Sequence, residues 1–369
     1  MNNLSLTIPR TLALIDQALT AKDYLGIQLY ISSCGELVVD TGIGESRPGM
    51  PMRSDTIMPW MSATKPIVAV AAALLWQEGQ LKLDAPVTDY IREFSGGQKD
   101  SITVRHLLTH TAGIRNSEIQ IRGLSSMDSI VQRICRTSLE PGWIPGKKAG
   151  YHVSASWYVL AEIVHRVDGR PIGEYVRRQI FGPLGMCDSW IGIPPDEYAR
   201  LGQRIGFMYS TEAGPPRLQD LHSERSCGTV SPGGGGRGPI RELGSFYEML
   251  LNRGTTSAGQ LLTPMTVEAI TSRHRSGMKD HTFQHVMDWG LGFQVDSNIY
   301  GAETVPYGYG RYCSPRTYGH GGRQSSSSFA DPENQLVVAL VMNGMPGERR
   351  HTERIRNLNS AIYEDLGLN

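Results

Sequence analysis

Residues 61–76 read Met-Ser-Ala-Thr-Lys-Pro-Ile-Val-Ala-Val-Ala-Ala-Ala-Leu-Leu-Trp. From residue 62 to residue 75 the apolar positions Ile67, Val68, Val70, Ala71, Leu74 and Leu75 fall nearly all round a helical wheel, which predicts a helix buried in a core. Pro66 is tolerated because it lies in the first turn. A buried apolar helix has little use for a lysine in that turn unless the charge faces a cleft or a partner, or snorkels to the surface. Ser62 and Lys65 are three residues apart, so their side chains share a face, and the positive end of the helix favours negative charge developing there. A serine hydroxyl is a poor nucleophile at neutral pH, but a lysine whose ammonium is destabilised by burial can take its proton. The spacing alone also fits a capping serine beside an ordinary lysine.

Outward from this helix, residues 1–24 carry Leu4, Ile8, Leu12, Ile15 and Leu19 at helical spacing, with neither a basic start nor an unbroken apolar run. They read as a surface helix and not an export signal, so a cytoplasmic location is expected. Residues 26–39 read as a β-hairpin, with apolar segments 27–31 and 37–39 around Ser-Ser-Cys-Gly. The stretch 82–201 is rich in helical patterns such as 104–110 and 157–167, broken by Pro141, Pro145, Pro171 and Pro183. Residues 202–238 are dense in Gly, Pro and Ser and mark a return between subdomains. A helix follows at 241–251, then strand-like segments at 289–295, 325–330 and 336–342. A last amphipathic helix at 348–366 has Ile355, Leu358, Ile362 and Leu366 in phase.

Composition narrows the function classes. The 369 residues, 40% apolar and 20% charged, can bury one large core or two moderate ones. Charge balances at 36 basic and 36 acidic side chains with no long run of one sign, which argues against nucleic acid or an acidic membrane as partner. The longest apolar stretch, 67–76, is about half a bilayer span. Cys34, Cys135, Cys187, Cys227 and Cys313 include no Cys-x-x-Cys pair, so neither a disulfide framework nor a zinc ribbon is suggested, and a reducing compartment fits. His106 and His110 have the i, i+4 spacing of a metal-binding helix but no glutamate beside the first histidine. His281 and His285 do no better, so neither a metal nor another cofactor is expected. Gly233 to Gly236 lacks the Gly-Lys-Ser or Gly-Lys-Thr of a phosphate cradle and reads as a flexible loop at a cleft edge.

Several segments together carry a family likeness: Met61-Ser-Ala-Thr-Lys65, Ile102-Thr-Val-Arg-His-Leu-Leu-Thr-His-Thr-Ala-Gly113, Pro145-Gly146 with Tyr151, Ile180-Phe-Gly-Pro-Leu-Gly-Met186, Met249-Leu-Leu-Asn-Arg-Gly254 and Tyr318-Gly-His-Gly-Gly322. In this order and spacing the chain, from about residue 25 to residue 343, resembles the serine β-lactamase and penicillin-recognising family. The likeness is strongest to its class C β-lactamase, D-aminopeptidase and esterase branch. The resemblance implies an α+β fold, with an antiparallel sheet flanked by helices formed from residues 1–80 and 235–369. A mainly helical part, 81–234, is inserted, and the active site lies in the cleft between the two.

It also implies roles. Ser62 would be acylated, Lys65 would be its base, and Tyr151 would carry protons to the leaving group and from the incoming one. His320, Gly321 and Gly322 occupy the family's Lys-Thr-Gly strand, and the amides of Ser62 and Arg323 would form the oxyanion hole. Two departures shift the substrate. Val153 stands where the family usually has an asparagine, leaving Ser154 as a substitute. His320 replaces the strand lysine, weakening the positive field that holds a penicillin-type carboxylate, with Arg323 as another source of charge. The expected partners are a small-molecule acyl donor and a nucleophilic acceptor. An esterase or ester-to-amide transacylase, as in a biosynthetic pathway such as antibiotic biosynthesis, fits better than a β-lactamase or D-amino-acid amidase. A non-catalytic binding module of the same fold is the rival from another class. The acyl group, the acceptor and the oligomeric state stay open at this point.

Overall fold

The hairpin near the N-terminus turns where two consecutive residues adopt left-handed backbone, Cys34 at φ 51° and Gly35 at φ 79°. That geometry matches the twist of a two-residue hairpin loop. It joins β1 (Gly26–Ser33) to β2 (Glu36–Arg47). The computed structural model describes residues 4–124 and 126–369, so the first three residues of the expected N-terminal helix lie outside the described set.

Both ends of the chain build one antiparallel sheet. The C-terminal half adds β4 (Asp288–Trp289), β5 (Gln294–Val295), β6 (Tyr318–Gly322), β7 (Ser326–Asp331) and β8 (Leu336–Met342). With β3 (Met50–Pro51) the spatial order is β4-β5-β6-β7-β8-β1-β2-β3. Residue alternation feeds two apolar layers. On one face Ile27, Leu29, Ile31, Val338 and Leu340 pack with Ile8 and Ile15 of the N-terminal region and with Ile355, Leu358 and Ile362 of α5 (Glu348–Asp365). On the other, Tyr30, Val337, Ala339 and Val341 join the large core that contains Leu243, Phe246 and Leu250 of α4 (Ile240–Leu251). At Gly244 this helix passes so close to β1 that a Cβ would collide with the Tyr30 ring.

The expected α+β class, with helices on both faces of an antiparallel sheet, is therefore what the structure shows. The N-terminal helix α1 (Pro9–Thr20) covers a sheet face, with Ile15 fully buried. Among the described residues no helix is long and apolar enough to cross a membrane.

The segment 289–295 departs from expectation. It is not one strand but a tight hairpin between β4 and β5. Gly292 takes φ 84°, and a Cβ there would strike Ala69. The Leu291 N–H donates to Ile270 O at 2.9 Å and the Gly292 N–H to Leu108 O at 3.0 Å, so the turn leaves the sheet to satisfy its amides elsewhere.

The buried helix is α2 (Lys65–Gln77), whose residues 65 to 75 are all buried. It packs against α3 (Ala155–Asp168) in the helix-rich middle of the chain, where Ile102, Val104, Leu107, Ile130 and Ile163 extend the core. The α3 helix ends at Gly169, left-handed at φ 92°, a conformation that glycine adopts without a Cβ penalty.

Candidate active site

Ser62 sits in the 3₁₀ turn Met61–Thr64 that leads into α2. The turn is fixed from several directions. Thr64 Oγ1 donates to Met61 O at 2.6 Å and accepts the Gly236 N–H at 2.8 Å, while Ser326 Oγ donates to Trp60 O at 2.8 Å. Met61 is held at φ 52°, a left-handed conformation that is uncommon for a side-chain-bearing residue and often stored at functional sites. The strained turn presents Ser62 at the wall of a cavity of about 930 Å³.

Lys65 does not snorkel. It is 0% exposed, and its Nζ lies 3.0 Å from Ser62 Oγ, 2.8 Å from Val153 O and 2.7 Å from Gly233 O. Burial drives its pKa down to about 7, opposed by the negative charge of Glu118. The glycine run 233–236 is thus part of this site and contributes to it through its backbone. Gly233 and Gly236 are buried, and a Cβ at Gly236 would sit 2.6 Å from Thr64 Oγ1.

Tyr151 comes from the loop before α3. Its ring is packed by His110 at 4.7 Å, Phe283 at 5.0 Å, Trp289 at 5.8 Å and His320 at 6.0 Å between centroids. Lys65 Nζ stands 5.0 Å from the centre of the ring. Burial pushes the phenol pKa far up, with a hydrogen bond to Ser62 working in the opposite direction, so the hydroxyl keeps its proton at neutral pH.

The strand β6 closes the site. His320, Gly321 and Arg323 line the same cavity as Ser62 and Tyr151. Gly322 serves as a spacer, since a Cβ there would overlap Trp60 O and Ser326 Oγ. Close approach brings the end of β6 against the turn that carries Ser62. Among the described residues, neither the Ser62 N–H nor the Arg323 N–H has a hydrogen-bond acceptor within the protein. The Arg323 side chain is exposed.

Ser154 does not take the place of the missing asparagine. Its hydroxyl is bound to Glu118, which also accepts the Ser154 N–H at 2.7 Å and the Ala155 N–H at 2.8 Å at the start of α3. The carboxylate caps that helix and draws Ser154 away from the cavity, while the side chain of Val153 lines it.

Sequence reading missed a second support. Asp280 accepts the Tyr151 N–H at 3.1 Å and, with its other oxygen, pairs with Arg275 at 3.1 Å. Both side chains are buried, at 0% and 1% exposure. Arg275 also donates to Thr109 O at 3.1 Å and lies 5.3 Å from the Trp289 ring. The only hint in the sequence is a pair of opposite charges five residues apart, Arg275 and Asp280. Asp280→Asn keeps an acceptor for Tyr151 but strands the guanidinium. The expected loss of unfolding free energy is about 3 kcal/mol, read from the urea midpoint at unchanged slope. A change within experimental error would show that the pair does not anchor this loop.

The histidines that match metal-helix spacing do other work. His106 Nδ1 accepts the Thr103 N–H at 3.2 Å in a capping box. His110, at φ 57°, is buried behind Tyr151 with its Nδ1 accepting the His152 N–H at 3.0 Å. Among the described residues no group of three or more His, Cys, Asp or Glu is placed to hold a metal ion.

The β-lactamase family model matches residues 12–362. The chain is 32% identical over 370 residues to esterase EstB of Burkholderia gladioli, covering 91% of each protein. It superposes on a penicillin-binding protein homologue from Caulobacter crescentus with TM-score 0.80 at 26% identity, and on a family VIII carboxylesterase with TM-score 0.79 at 25% identity, each covering 97% of both chains. The chain belongs to the β-lactamase family and is a serine hydrolase or acyltransferase of that type.

Proposed function

We propose that this enzyme is an esterase acting on small molecules, and that its acyl-enzyme on Ser62 is resolved by water, an alcohol or an amine. The observation that carries the reading is the placement of Lys65. A neutral amine has two N–H groups and one lone pair. Val153 O and Gly233 O take the two hydrogens, at 2.8 and 2.7 Å, which leaves the lone pair facing Ser62 Oγ at 3.0 Å. Its pKa, lowered to about 7 by burial, lets the lysine act as a free base at neutral pH.

In this reading Ser62 Oγ bonds to the acyl carbon as its proton passes to Lys65. The oxyanion is met by the unpaired amides of Ser62 and Arg323. Collapse breaks the bond to the alcohol oxygen, which takes a proton through Tyr151. The acceptor then enters by the reverse route. The cleft lies between a sheet part, residues 1–80 with 235–369, and a helical part, residues 81–234. The relatives favour an ester over a β-lactam. EstB and the family VIII carboxylesterase are named for ester hydrolysis, and the neutral His320 offers no fixed cation for a carboxylate. An ester-to-amide transfer in a biosynthetic pathway is the finer form of the same reading.

The test is intact-protein mass spectrometry after mixing with p-nitrophenyl acetate. The expected result is nitrophenol release with one acetyl group mapped to the peptide that carries Ser62. Added amine should divert product from acid to amide if the enzyme is a transacylase. Absence of both turnover and an adduct would remove the proposal.

A further inference from the structure

Resting on the acyl-transfer reading, in which the Arg323 N–H meets the oxyanion, we infer that Gln324, Glu348 and Tyr307 are the positioning residues that hold this amide in place. Arg323 sits in the turn between β6 and β7, its side chain exposed and, among the described residues, without a hydrogen bond or ion pair. Its amide shares a rigid peptide plane with Gly322 O, and that oxygen accepts the Ser325 N–H at 3.0 Å. In a trans peptide the N–H points opposite to the C=O, so the carbonyl faces into the turn and the amide faces away from it. The aim of the oxyanion donor is therefore only as fixed as the turn. Between the two sits Gln324 at φ 47°, a left-handed conformation that a residue with a side chain keeps where its surroundings over-determine it.

All four polar groups of Gln324 are bound. Its N–H donates to Tyr307 Oη at 3.2 Å, and its C=O accepts Arg354 Nη2 at 2.9 Å. Its Oε1 accepts the Gly347 N–H at 2.8 Å, and its Nε2 donates to Glu348 Oε1 at 3.0 Å. Tyr307 Oη in turn donates to the other oxygen of Glu348 at 2.6 Å. A closed ring thus runs from the backbone of Gln324 through a phenol and a carboxylate to its own side chain, with Glu348 the shared acceptor. Gly347 and Glu348 begin α5, so the turn is pinned to the start of the C-terminal helix. Tyr307 also bears directly on β6, because a Cβ at Gly321 would lie 2.5 Å from its ring. Loss of the shared acceptor lets the left-handed turn relax and swings the Arg323 N–H off the position that the oxyanion will occupy.

Two matched esters test this on the intact enzyme: p-nitrophenyl acetate and p-nitrophenyl thionoacetate. They differ only in C=O against C=S, and sulfur is a weak acceptor, so wild-type kcat/KM should favour the oxygen ester by about 10²-fold or more. Glu348 is exposed and Gln324 half-buried, so Glu348→Ala and Gln324→Ala should both fold. Each should lower kcat/KM for the oxygen ester by about 10- to 100-fold, and for the thionoester by about twofold or less. The preference for oxygen then shrinks with the rate. A role in packing or in direct substrate contact would slow both esters together and keep the preference. Wild-type rates in both variants, equal slowing of the two esters, or no oxygen preference in the wild type would overturn the inference while leaving the esterase reading standing. If the wild type turns over neither ester and gains no acetyl group, the acyl-transfer reading has failed and this inference falls with it.

Discussion

Lys65→Met is expected to lower kcat/KM for ester hydrolysis by about 10³- to 10⁴-fold, near the top of the range for loss of a positioned general base. Methionine fills similar volume in the buried first turn of α2, so the variant should fold. It leaves two carbonyls, Val153 O and Gly233 O, without their donor, which costs about 1–3 kcal/mol each at most. Thermal unfolding separates that effect from the catalytic one. The pH profile supplies an independent check. The lysine pKa is lowered to about 7, and the base is the unprotonated form. Wild-type kcat/KM should therefore fall about tenfold per pH unit below 7 and level off above it. Lys65→Met should lose that acid limb along with the rate. A limb that persists would assign it to another group, and His320 is a poor candidate because its pKa is already near 3.

Some of this site was legible in the sequence because it is local. Ser62 and Lys65 lie within one turn at the start of a helix whose apolar pattern announces burial, so the pairing follows from 3.6-residue geometry. Tyr151 and His320 lie far from that turn in sequence, and no periodicity brings them there. They could be named only through the family likeness of the segments around them. The parts that went unread act through atoms that every residue has, or through tertiary partners. Gly233 contributes a carbonyl, and its neighbours contribute the absence of Cβ atoms. Glu118 captures Ser154 because the chain folds back 36 residues later, and the hydroxyl expected to replace an asparagine becomes part of a helix cap instead. The fold shows the same division. The hairpin at Cys34 and the terminal helices follow from local patterning. The break at residues 290–293 follows from contacts with Ile270, Ala69 and Leu108, none of them neighbours in sequence.

Tyr151→Phe should reduce steady-state turnover by about 10²- to 10⁴-fold, the usual range for a proton-transfer group, and the pattern of the loss identifies its role. The ring is packed by His110, Phe283, Trp289 and His320, so phenylalanine keeps the packing and removes only the hydroxyl. The phenol pKa is raised strongly by burial, so the group acts as a relay that gives and takes a proton in one step and not as a standing phenolate. A nitrophenolate needs little help to leave. Acylation of the variant by p-nitrophenyl acetate should thus be slowed far less than acylation by ethyl acetate. The following step still needs a proton taken from water or alcohol. The variant should then show a stoichiometric burst of nitrophenol and accumulate acetyl-Ser62, visible as a stable mass increment. Equal slowing of both esters without an accumulating adduct would place Tyr151 in binding or packing. The proton carrier would then have to be sought in Lys65 alone.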